Sequence, residues 1–242
     1  MAGLCSVVAH VDNAGAERMI VQSSDPIVLV GGGGVEPELW QSVFGLRHEV
    51  VAADSGAATA LAQGMMPRAV IGDMDSLRDS DRRLLDADII HHIAEQETTD
   101  FEKCLMSVRA PLIIGVGFGG PRLDHRLANL NTLVRNPVQR CVLLDGSDLV
   151  FLAPASLQLD LPVGTRFSVF PMGAVEATSE GLQWPLEGLS LAPAGRVGTS
   201  NRVIAPVCLD VTAPNLLVIL PREALDQVVA ALSDQRGSWC VP

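Results

Sequence analysis

Two carboxylates separated by one residue follow a short apolar run in the segment Gly72-Asp73-Met74-Asp75-Ser76. In an extended segment, side chains two residues apart point to the same side, with backbone positions roughly 6.5 Å apart. Two negative charges at that distance repel by about 2.5 kcal/mol at an effective dielectric constant of 20. A cation would offset this repulsion, and an all-oxygen ligand set favours magnesium over zinc. The pair therefore indicates a magnesium site, although the same residues would also suit a solvated turn.

A further acidic residue precedes this pair. Asp54 follows the apolar run Val50-Val51-Ala52-Ala53, which reads as a buried strand. Residues 55–63 are rich in alanine and predict a helix that ends at Gly64. The run 69–72 predicts the next strand. In such a βαβ unit, both acidic sites emerge at the carboxyl edge of one parallel sheet, where open α/β folds bind their ligands.

Two later segments could contribute to the same edge. Gln96-Glu97-Thr98-Thr99-Asp100 predicts the start of a helix with Thr98 or Thr99 as its N-cap. Asp100 then either lies only in an acidic first turn or joins Asp73 and Asp75. Arg122 opens another predicted helix, where a positive charge is unfavourable unless an anion such as a nucleotide phosphate lies beside it.

A glycine-rich turn and a histidine pair are weaker signals. The strand 27–30 runs into Gly31-Gly32-Gly33-Gly34, with a helix predicted at 36–46. Four glycines let the backbone approach a phosphate, but a flexible turn explains them equally well. His91 and His92 are adjacent on a predicted strand and face opposite ways, so we interpret them as structural residues rather than metal ligands.

The remaining periodicity divides the chain into two parts. Strands are predicted at 88–90, 111–117 and 140–144, and helices at 80–85 and 127–134. From Leu149, short strand-like runs alternate with Gly and Pro turns, at 149–152, 166–171, 202–204, 207–211 and 216–220. This pattern predicts a small antiparallel sandwich, followed by a helix at 222–232. We expect an N-terminal extension at 1–25, with an edge strand near Val11 or Ile20, an α/β catalytic domain at 26–147 with a parallel Rossmann-like sheet, and a β-sandwich domain at 148–242.

Composition narrows the class of protein. The 242 residues carry a formal net charge of -11, which argues against a nucleic-acid binder or a binder of anionic membranes. Lys103 is the only lysine, so contacts to phosphate would fall mostly to arginine. The five cysteines are scattered and form no C-x-x-C motif, which fits reduced, mostly buried thiols. No signal-peptide pattern opens the chain and no uncharged run reaches the ~18 residues of a spanning helix. We expect a cytoplasmic protein.

Five motifs of the chain resemble, in the same order, those of the thiamin pyrophosphokinase family. They are Asp54-Ser55-Gly56-Ala57, Gly72-Asp73-Met74-Asp75-Ser76, Gln96-Glu97-Thr98-Thr99-Asp100, Gly119-Gly120-Pro121-Arg122-Leu123-Asp124-His125, and Gly181-Leu182-Gln183-Trp184-Pro185-Leu186 followed by Ser200-Asn201. Each motif alone is weak evidence, but five in register are specific. The sequence departs from the family at three positions: Ser55 replaces a glycine, Glu97 replaces an aspartate, and Pro121 is inserted after the glycine pair.

The resemblance implies an N-terminal α/β domain that binds ATP, a C-terminal β-sandwich, and a homodimer with thiamin sites between its subunits. It also implies the reaction. The thiamin hydroxyl would attack the β-phosphorus of ATP with the help of Mg²⁺, giving thiamin diphosphate and AMP. Such a transfer depends on charge neutralisation and in-line positioning more than on covalent catalysis.

The same resemblance assigns residues to roles. The catalytic metal ligands would be Asp73, Asp75 and Asp100. Contacts to the nucleotide, its phosphates or the metal would come from Gly32, Gly33, Asp54, Ser76, Gln96, Thr99, Arg122 and Asp124, the last of which could instead orient Arg122. Trp184 would stack on thiamin, while Ser200 and Asn201 would hydrogen-bond its pyrimidine ring. Taken without its motif, Trp184 would be better interpreted as a core residue.

Three other functions fit part of the sequence. The chain could be a pyrophosphokinase for another alcohol, such as a hydroxymethyl pterin, but the segment around Trp184 argues against this. It could be a glycosyltransferase whose Asp73-Met74-Asp75 binds a metal-bound nucleotide sugar, although this leaves the Asp100 motif unexplained. A non-catalytic thiamin or nucleotide sensor would be favoured by a broken acidic cluster, yet all three aspartates are present.

Overall fold

The structure is a computed structural model that describes residues 19–44, 48–233 and 239. Its strands are β1 (Val21–Gln22), β2 (Ile27–Val30), β3 (Glu49–Ala53), β4 (Ala69–Gly72), β5 (Ile90–His92), β6 (Val108–Arg109), β7 (Ile113–Val116), β8 (Cys141–Asp145), β9 (Asp148–Leu152), β10 (Ser156–Leu159), β11 (Arg166–Pro171), β12 (Val175–Leu182), β13 (Ser190–Leu191), β14 (Gly198–Val211) and β15 (Leu216–Pro221). Its α-helices are α1 (Pro37–Phe44), α2 (Gly56–Ala62), α3 (Asp79–Arg82), α4 (Asp100–Ser107), α5 (Leu123–Arg135) and α6 (Leu225–Ser233). Two 3₁₀ turns lie at Ala87–Ile89 and Arg222–Ala224.

Six strands from the first part of the chain pair in parallel, in the order β5-β4-β3-β2-β7-β8. The residues of β2, β4 and β7 are apolar and buried on both faces, as a sheet covered by helices on both sides requires. Because the strands run the same way, the residues that follow β2, β3, β4 and β7 gather at one edge. This edge positions the candidate site.

The second part of the chain extends the same sheet with antiparallel strands. A tight turn at residues 146–147 joins β8 to β9, whose pairs run from Val142↔Phe151 to Asp145↔Asp148. The order then continues β9-β15-β11-β14-β12-β13, with β10 pairing to β14. The result is an α/β fold with one large mixed sheet of thirteen strands. The sheet is therefore continuous across the predicted boundary near residue 147.

Alternate residues of the parallel strands enter two different cores. In β2, Val28 and Val30 pack with α1, α6 and the antiparallel strands, whereas Ile27 and Leu29 pack with α4 and α5. This alternation is the period of two that an extended strand imposes on its side chains. The sheet is held from both sides, so its carboxyl edge is a rigid support.

Most elements predicted from the sequence are confirmed, and the errors are local. The strand predicted at 88–90 is wrong: a 3₁₀ turn occupies Ala87–Ile89 and the strand starts at Ile90. The two strands predicted at 202–204 and 207–211 are one continuous strand, β14. Strands β6, β10, β12 and β13 were not predicted.

The predicted N-terminal extension is described only from residue 19. Val11, one of the two residues proposed for an edge strand, lies outside the described residues. Ile20 directly precedes β1, which pairs in parallel with β6 in a separate two-stranded sheet and not with the main one. None of the helices in the described ranges is long and apolar enough to cross a membrane.

Candidate active site

Asp54, Asp73 and Asp75 converge at the carboxyl edge of the parallel strands. One carboxylate oxygen from each lies within 4.8 Å of the others. Asp54 directly follows β3, and the other two follow β4. The backbone is left-handed at Asp54, with φ of 44°, and at Met74, with φ of 61°. Such a conformation costs free energy for residues other than glycine and concentrates at functional sites, so the turn geometry here supports a functional cluster.

Asp54 is the most buried member of this cluster, with 3% of its surface exposed. Its Oδ2 accepts a hydrogen bond from the Ser76 N–H at 3.2 Å, whereas its buried Oδ1 has no hydrogen-bond partner among the described residues. Burial raises the pKa of Asp54, and the negative charge of Asp100 raises it further. A buried oxygen without a donor, beside three other carboxylates, fits the oxygen-only ligand set that magnesium prefers.

Hydrogen bonds fix the orientation of Asp73 and Asp75. The Asp75 N–H donates to Asp73 Oδ1 at 3.3 Å, and Gln96 Nε2 donates to Asp73 Oδ2 at 3.1 Å. The Ser76 hydroxyl donates to Asp75 Oδ1 at 2.8 Å. Burial acts to raise the pKa of Asp73, but the Asp75 N–H, Gln96 and Lys103 outweigh it and lower that pKa. Ser76 and Gln96 thus hold the carboxylates in place.

Asp100 reaches the cluster from the first turn of α4. Thr99 is the N-cap of this helix, as predicted, and its Oγ1 accepts from the Glu102 N–H at 3.2 Å. Gly72, at the end of β4, is packed so tightly against the acids that a Cβ there would lie 2.9 Å from Asp54 Cβ and 3.1 Å from Asp100 Oδ1. The structure therefore brings Asp100 to the other three acids, which agrees with the interpretation that Asp100 joins Asp73 and Asp75.

Lys103 is a member of the site that the sequence analysis did not assign. Its ammonium donates to Asp100 Oδ1 at 3.2 Å and lies 3.8 Å from Asp73 Oδ2, with 3% of the side chain exposed. One signal was available: the single lysine of the chain stands three residues after Asp100 on a predicted helix, where side chains are neighbours.

The glycine-rich turn after β2 lies against the turn after β7 and the start of α2. The Gly33 N–H donates to the Gly117 carbonyl at 2.8 Å, so this N–H is already used within the protein. A Cβ at Gly32 would lie 2.1 Å from the Ser55 hydroxyl, one of the family departures. The packing requires glycine at both positions. Because the Gly33 N–H is used in the bond to Gly117, Gly32 is the better candidate of the two for a contact to phosphate.

Arg122 and Asp124 form an exposed ion pair at the start of α5. The guanidinium donates to both carboxylate oxygens, at 3.2 Å from Nε to Oδ1 and 2.6 Å from Nη2 to Oδ2. Both side chains are 65% exposed. The hydrogen bond from Arg122 lowers the pKa of Asp124. Asp124 therefore holds the Arg122 guanidinium in an ion pair that is open to solvent.

The predicted thiamin-binding residues form a second group at β12 and β14. Trp184 is 55% exposed, so it is not a core residue. Asn201 is buried and its side chain is engaged on both sides by the Trp184 backbone: Oδ1 accepts from the N–H at 3.1 Å and Nδ2 donates to the carbonyl at 2.6 Å. Ser200 is exposed in a left-handed conformation, with φ of 64°. Asn201 thus positions Trp184, while Trp184 and Ser200 face solvent.

Comparisons with known proteins agree on one family. The model of the thiamin pyrophosphokinase catalytic domain matches residues 41–143, and that of the thiamin pyrophosphokinase vitamin B1 binding domain matches residues 156–216. Thiamine pyrophosphokinase 1 of Arabidopsis thaliana is 32% identical over 168 residues, which are 60% of this chain and 62% of that protein. The matched segment therefore spans less than two thirds of the length of this plant relative.

Solved structures show the same fold. Thiamin pyrophosphokinase from Geobacillus thermodenitrificans superposes with a TM-score of 0.69 at 24% identity, covering 81% of this chain and 97% of that one. For the enzyme from Bacillus subtilis the TM-score is 0.67 at 22% identity, with 81% and 99% covered.

Proposed function

Because the chain belongs to the thiamin pyrophosphokinase family, we propose that it transfers the pyrophosphoryl group of ATP to the hydroxyl of thiamin. The hydroxyl oxygen forms a bond to the β-phosphorus and its proton is released to solvent. The bond from that phosphorus to the oxygen bridging it to the α-phosphorus breaks, and AMP leaves. The observation that carries this proposal is the convergence of Asp54, Asp73, Asp75 and Asp100 at one sheet edge. Such a cluster suits a polyphosphate that arrives with divalent cations.

The four acids have distinct places in this proposal. Asp73, Asp75 and Asp100 would hold Mg²⁺, and the unpartnered Oδ1 makes Asp54 a further candidate ligand. The metal, when bound, would supply positive charge that balances the phosphates. Gln96, Ser76 and Thr99 keep the carboxylates and the start of α4 in position, as their hydrogen bonds indicate. Gly32 and Arg122 would contact the phosphates, with Asp124 orienting the guanidinium.

We place thiamin at Trp184, whose exposed indole is available for stacking on a cationic ring. From β14 to β4 there are eight strand-to-strand steps, roughly 38 Å along the sheet at ~4.8 Å per step. A thiamin bound at Trp184 is therefore remote from the acidic cluster along its own sheet. This separation supports a homodimer in which Trp184 and Ser200 of one subunit complete the site of the other.

We also propose two structural parts that match these two roles. The parallel strands would form a Rossmann-like catalytic domain at 26–147, and the antiparallel strands a sandwich at 148–242. In support, β14 pairs with β11 through its first residues and with β10 and β12 through its later ones, so one strand serves two layers.

The direct test is incubation of the protein with ATP, Mg²⁺ and thiamin, with products separated by chromatography. We expect AMP and thiamin diphosphate in equal amounts. A parallel reaction with a hydroxymethyl pterin in place of thiamin tests the other pyrophosphokinase reading, and Asp75→Asn controls for contaminating activity. Formation of ADP, or of no phosphorylated thiamin at saturating substrates, would contradict the proposal.

A further inference from the structure

Lys103 places a buried positive charge inside the acidic cluster. The ammonium lies 3.2 Å from Asp100 Oδ1 and 3.8 Å from Asp73 Oδ2, at 3% exposure. Among the described residues, it is the one lysine or arginine with a nitrogen within 4.0 Å of a carboxylate oxygen of Asp54, Asp73, Asp75 or Asp100. A charge buried this deeply is costly unless it is paired. The two carboxylates are its partners, yet the proposed function assigns both of them to the metal.

The ammonium and a divalent cation would therefore compete for the same carboxylate oxygens. When the site holds no nucleotide, a metal ion that binds Asp73 and Asp100 is repelled by the nearby ammonium and competes with it for their charge. When a polyphosphate is present, the balance changes, because the phosphates bring several negative charges next to the same ammonium. An ammonium has three N–H donors, and one of them is used in the hydrogen bond to Asp100.

We propose that Lys103 is a positioning residue that weakens the binding of free metal to the cluster and strengthens the binding of the metal–nucleotide complex. The site would then take up its metal together with the phosphates and not before them. The proposal rests on the proposed function for the identity of the anion, a nucleoside triphosphate. The effect on free metal rests on the ion pairs alone.

The test compares two affinities in one variant. Lys103→Met keeps an unbranched apolar side chain in the buried position and removes the charge. Removing an opposite charge at such a distance changes carboxylate affinity for a cation by about tenfold or more, so Mn²⁺ should bind the nucleotide-free variant about tenfold more tightly than wild type. Mn²⁺–ATP should bind about tenfold more weakly, for the same electrostatic reason. Free Mn²⁺ is measured by electron paramagnetic resonance, and Mn²⁺–ATP binding by calorimetry.

This reversal separates the charge effect from damage to the fold, because a partly unfolded site would lose both affinities. Lys103→Arg, which keeps the charge, should bind free Mn²⁺ and Mn²⁺–ATP with affinities close to those of wild type. Arg135→Met is the matched control. Arg135 Nη1 lies 3.1 Å from Oε2 of Glu102, a buried residue on the same helix as Lys103, so this variant also removes the cation from a buried carboxylate. It should change neither affinity. Tighter or unchanged Mn²⁺–ATP binding by a folded Lys103→Met protein would overturn the proposal, as would weaker or unchanged binding of free Mn²⁺.

A second measurement uses the unsubstituted protein, in case Lys103→Met does not fold. Because Lys103 is the only lysine, ¹³C-lysine labelling gives one lysine Cε resonance. One equivalent of Mn²⁺–ATP should broaden this resonance beyond detection, and an unbroadened signal would overturn the proposal. Neither measurement needs turnover. A protein that shows the reversal of affinities but forms no thiamin diphosphate would contradict the proposed function and leave the role of Lys103 standing.

Discussion

Single side chains at the sheet edge differ in what they contribute to the site. Asp75 is exposed, and its carboxylate accepts a hydrogen bond from the neighbouring Ser76 hydroxyl, so its replacement should leave the fold intact. Its proposed task is to hold metal against the transferred phosphates. The residue can therefore be tested for function with little effect on stability.

We expect Asp75→Asn to lower turnover about a hundredfold or more, the usual effect of removing one group that balances developing charge. Steady-state rates at saturating Mg²⁺ and both substrates measure this. Asp88→Asn, an exposed acid outside the cluster, is the control and should be fully active. A folded Asp75→Asn protein with near-normal rates would remove Asp75 from the metal site.

Asp54, unlike Asp75, should affect the stability of the fold, because its carboxylate is buried. Its pKa is raised above the ordinary 3.8, first by burial and then by Asp100, so the native state keeps a proton that the unfolded state has already lost. Stability from this group is therefore present at acid pH and is lost as the pH rises through the native pKa. At neutral pH the ionised carboxylate destabilises the metal-free fold.

Accordingly, Asp54→Asn should melt at a higher temperature than wild type at pH 7 in the presence of a chelator. The difference should shrink as the pH approaches the ordinary value of 3.8. Scanning calorimetry across this pH range measures both effects. A variant that melts below wild type at pH 7 without metal would show that Asp54 stabilises the fold in its ionised form.

The residue types of the site were largely predictable, because acidic motifs after buried strands have few structural uses. Strand patterns alone predicted that Asp54, Asp73 and Asp75 share one edge, and the structure brings them together. The same patterns left the position of Asp100 open, and the family resemblance assigned it to the site. Lys103 was missed because an i,i+3 pair on a helix is usually a surface feature, and burial cannot be read from that spacing. The engagement of Asn201 with the Trp184 backbone is likewise a long-range contact without a local signal.

At the scale of elements, the antiparallel strands were harder to predict than the parallel ones. Strand β12 alternates buried and exposed positions, but its buried residues include Ala177 and Ser179, which carry a weak hydrophobic signal. Strand β14 was divided in two because Pro206 interrupts its sequence. Opposite Pro206, the paired strand β12 has Gly181 in a left-handed conformation, where a Cβ would lie 2.2 Å from the Pro206 carbonyl oxygen. The pairing of β12 with β14 shifts register between Glu180 and Leu182, and this bulge accommodates the proline within one strand.

The segment that carries Trp184 gives a prediction for thiamin recognition. Stacking on a cationic ring contributes ~1–2 kcal/mol, so Trp184→Ala should weaken thiamin binding roughly ten- to thirtyfold and leave ATP binding nearly unchanged. Because the indole is 55% exposed, the melting temperature should change little. Calorimetric titration with each substrate measures the affinities. The control is Ile204→Ala, which truncates an exposed apolar side chain on the neighbouring strand β14.

A large loss of melting temperature with unchanged thiamin affinity would show that Trp184 is a structural residue instead. Asn201→Ala offers a comparison within the same segment. It leaves the Trp184 N–H and carbonyl without their buried partner, which costs ~1–3 kcal/mol, so thiamin affinity and stability should fall together.

At the scale of the whole molecule, the proposed site requires two chains. Asp75→Asn and Trp184→Ala should each be weakly active alone, because each homodimer carries its defect in both sites. In a reassembled 1:1 mixture, half of the dimers contain one of each subunit, and one of their two sites lacks both defects. Activity should therefore recover to about one quarter of wild type.

Sedimentation of the same samples checks that dimers are present. If subunit exchange is demonstrated and activity still does not recover, each chain carries a complete site. A fully active monomer would have the same meaning. In either case the assignment of Trp184 and Ser200 to the partner's site would be wrong.

The hairpin of β8 and β9 has a consequence for how the substrates meet. It fuses the parallel and antiparallel strands by backbone hydrogen bonds, from Val142↔Phe151 to Asp145↔Asp148, so the chain has no interdomain hinge at this point. Sites on two hinged domains could close on each other within one chain, but here the separation between Trp184 and the acidic cluster is set by the sheet itself. In the proposed homodimer, alignment of the thiamin hydroxyl with the β-phosphorus would then depend on the docking angle of the two subunits. A substitution at the subunit contact could misalign the reactants while both binding sites remain chemically intact.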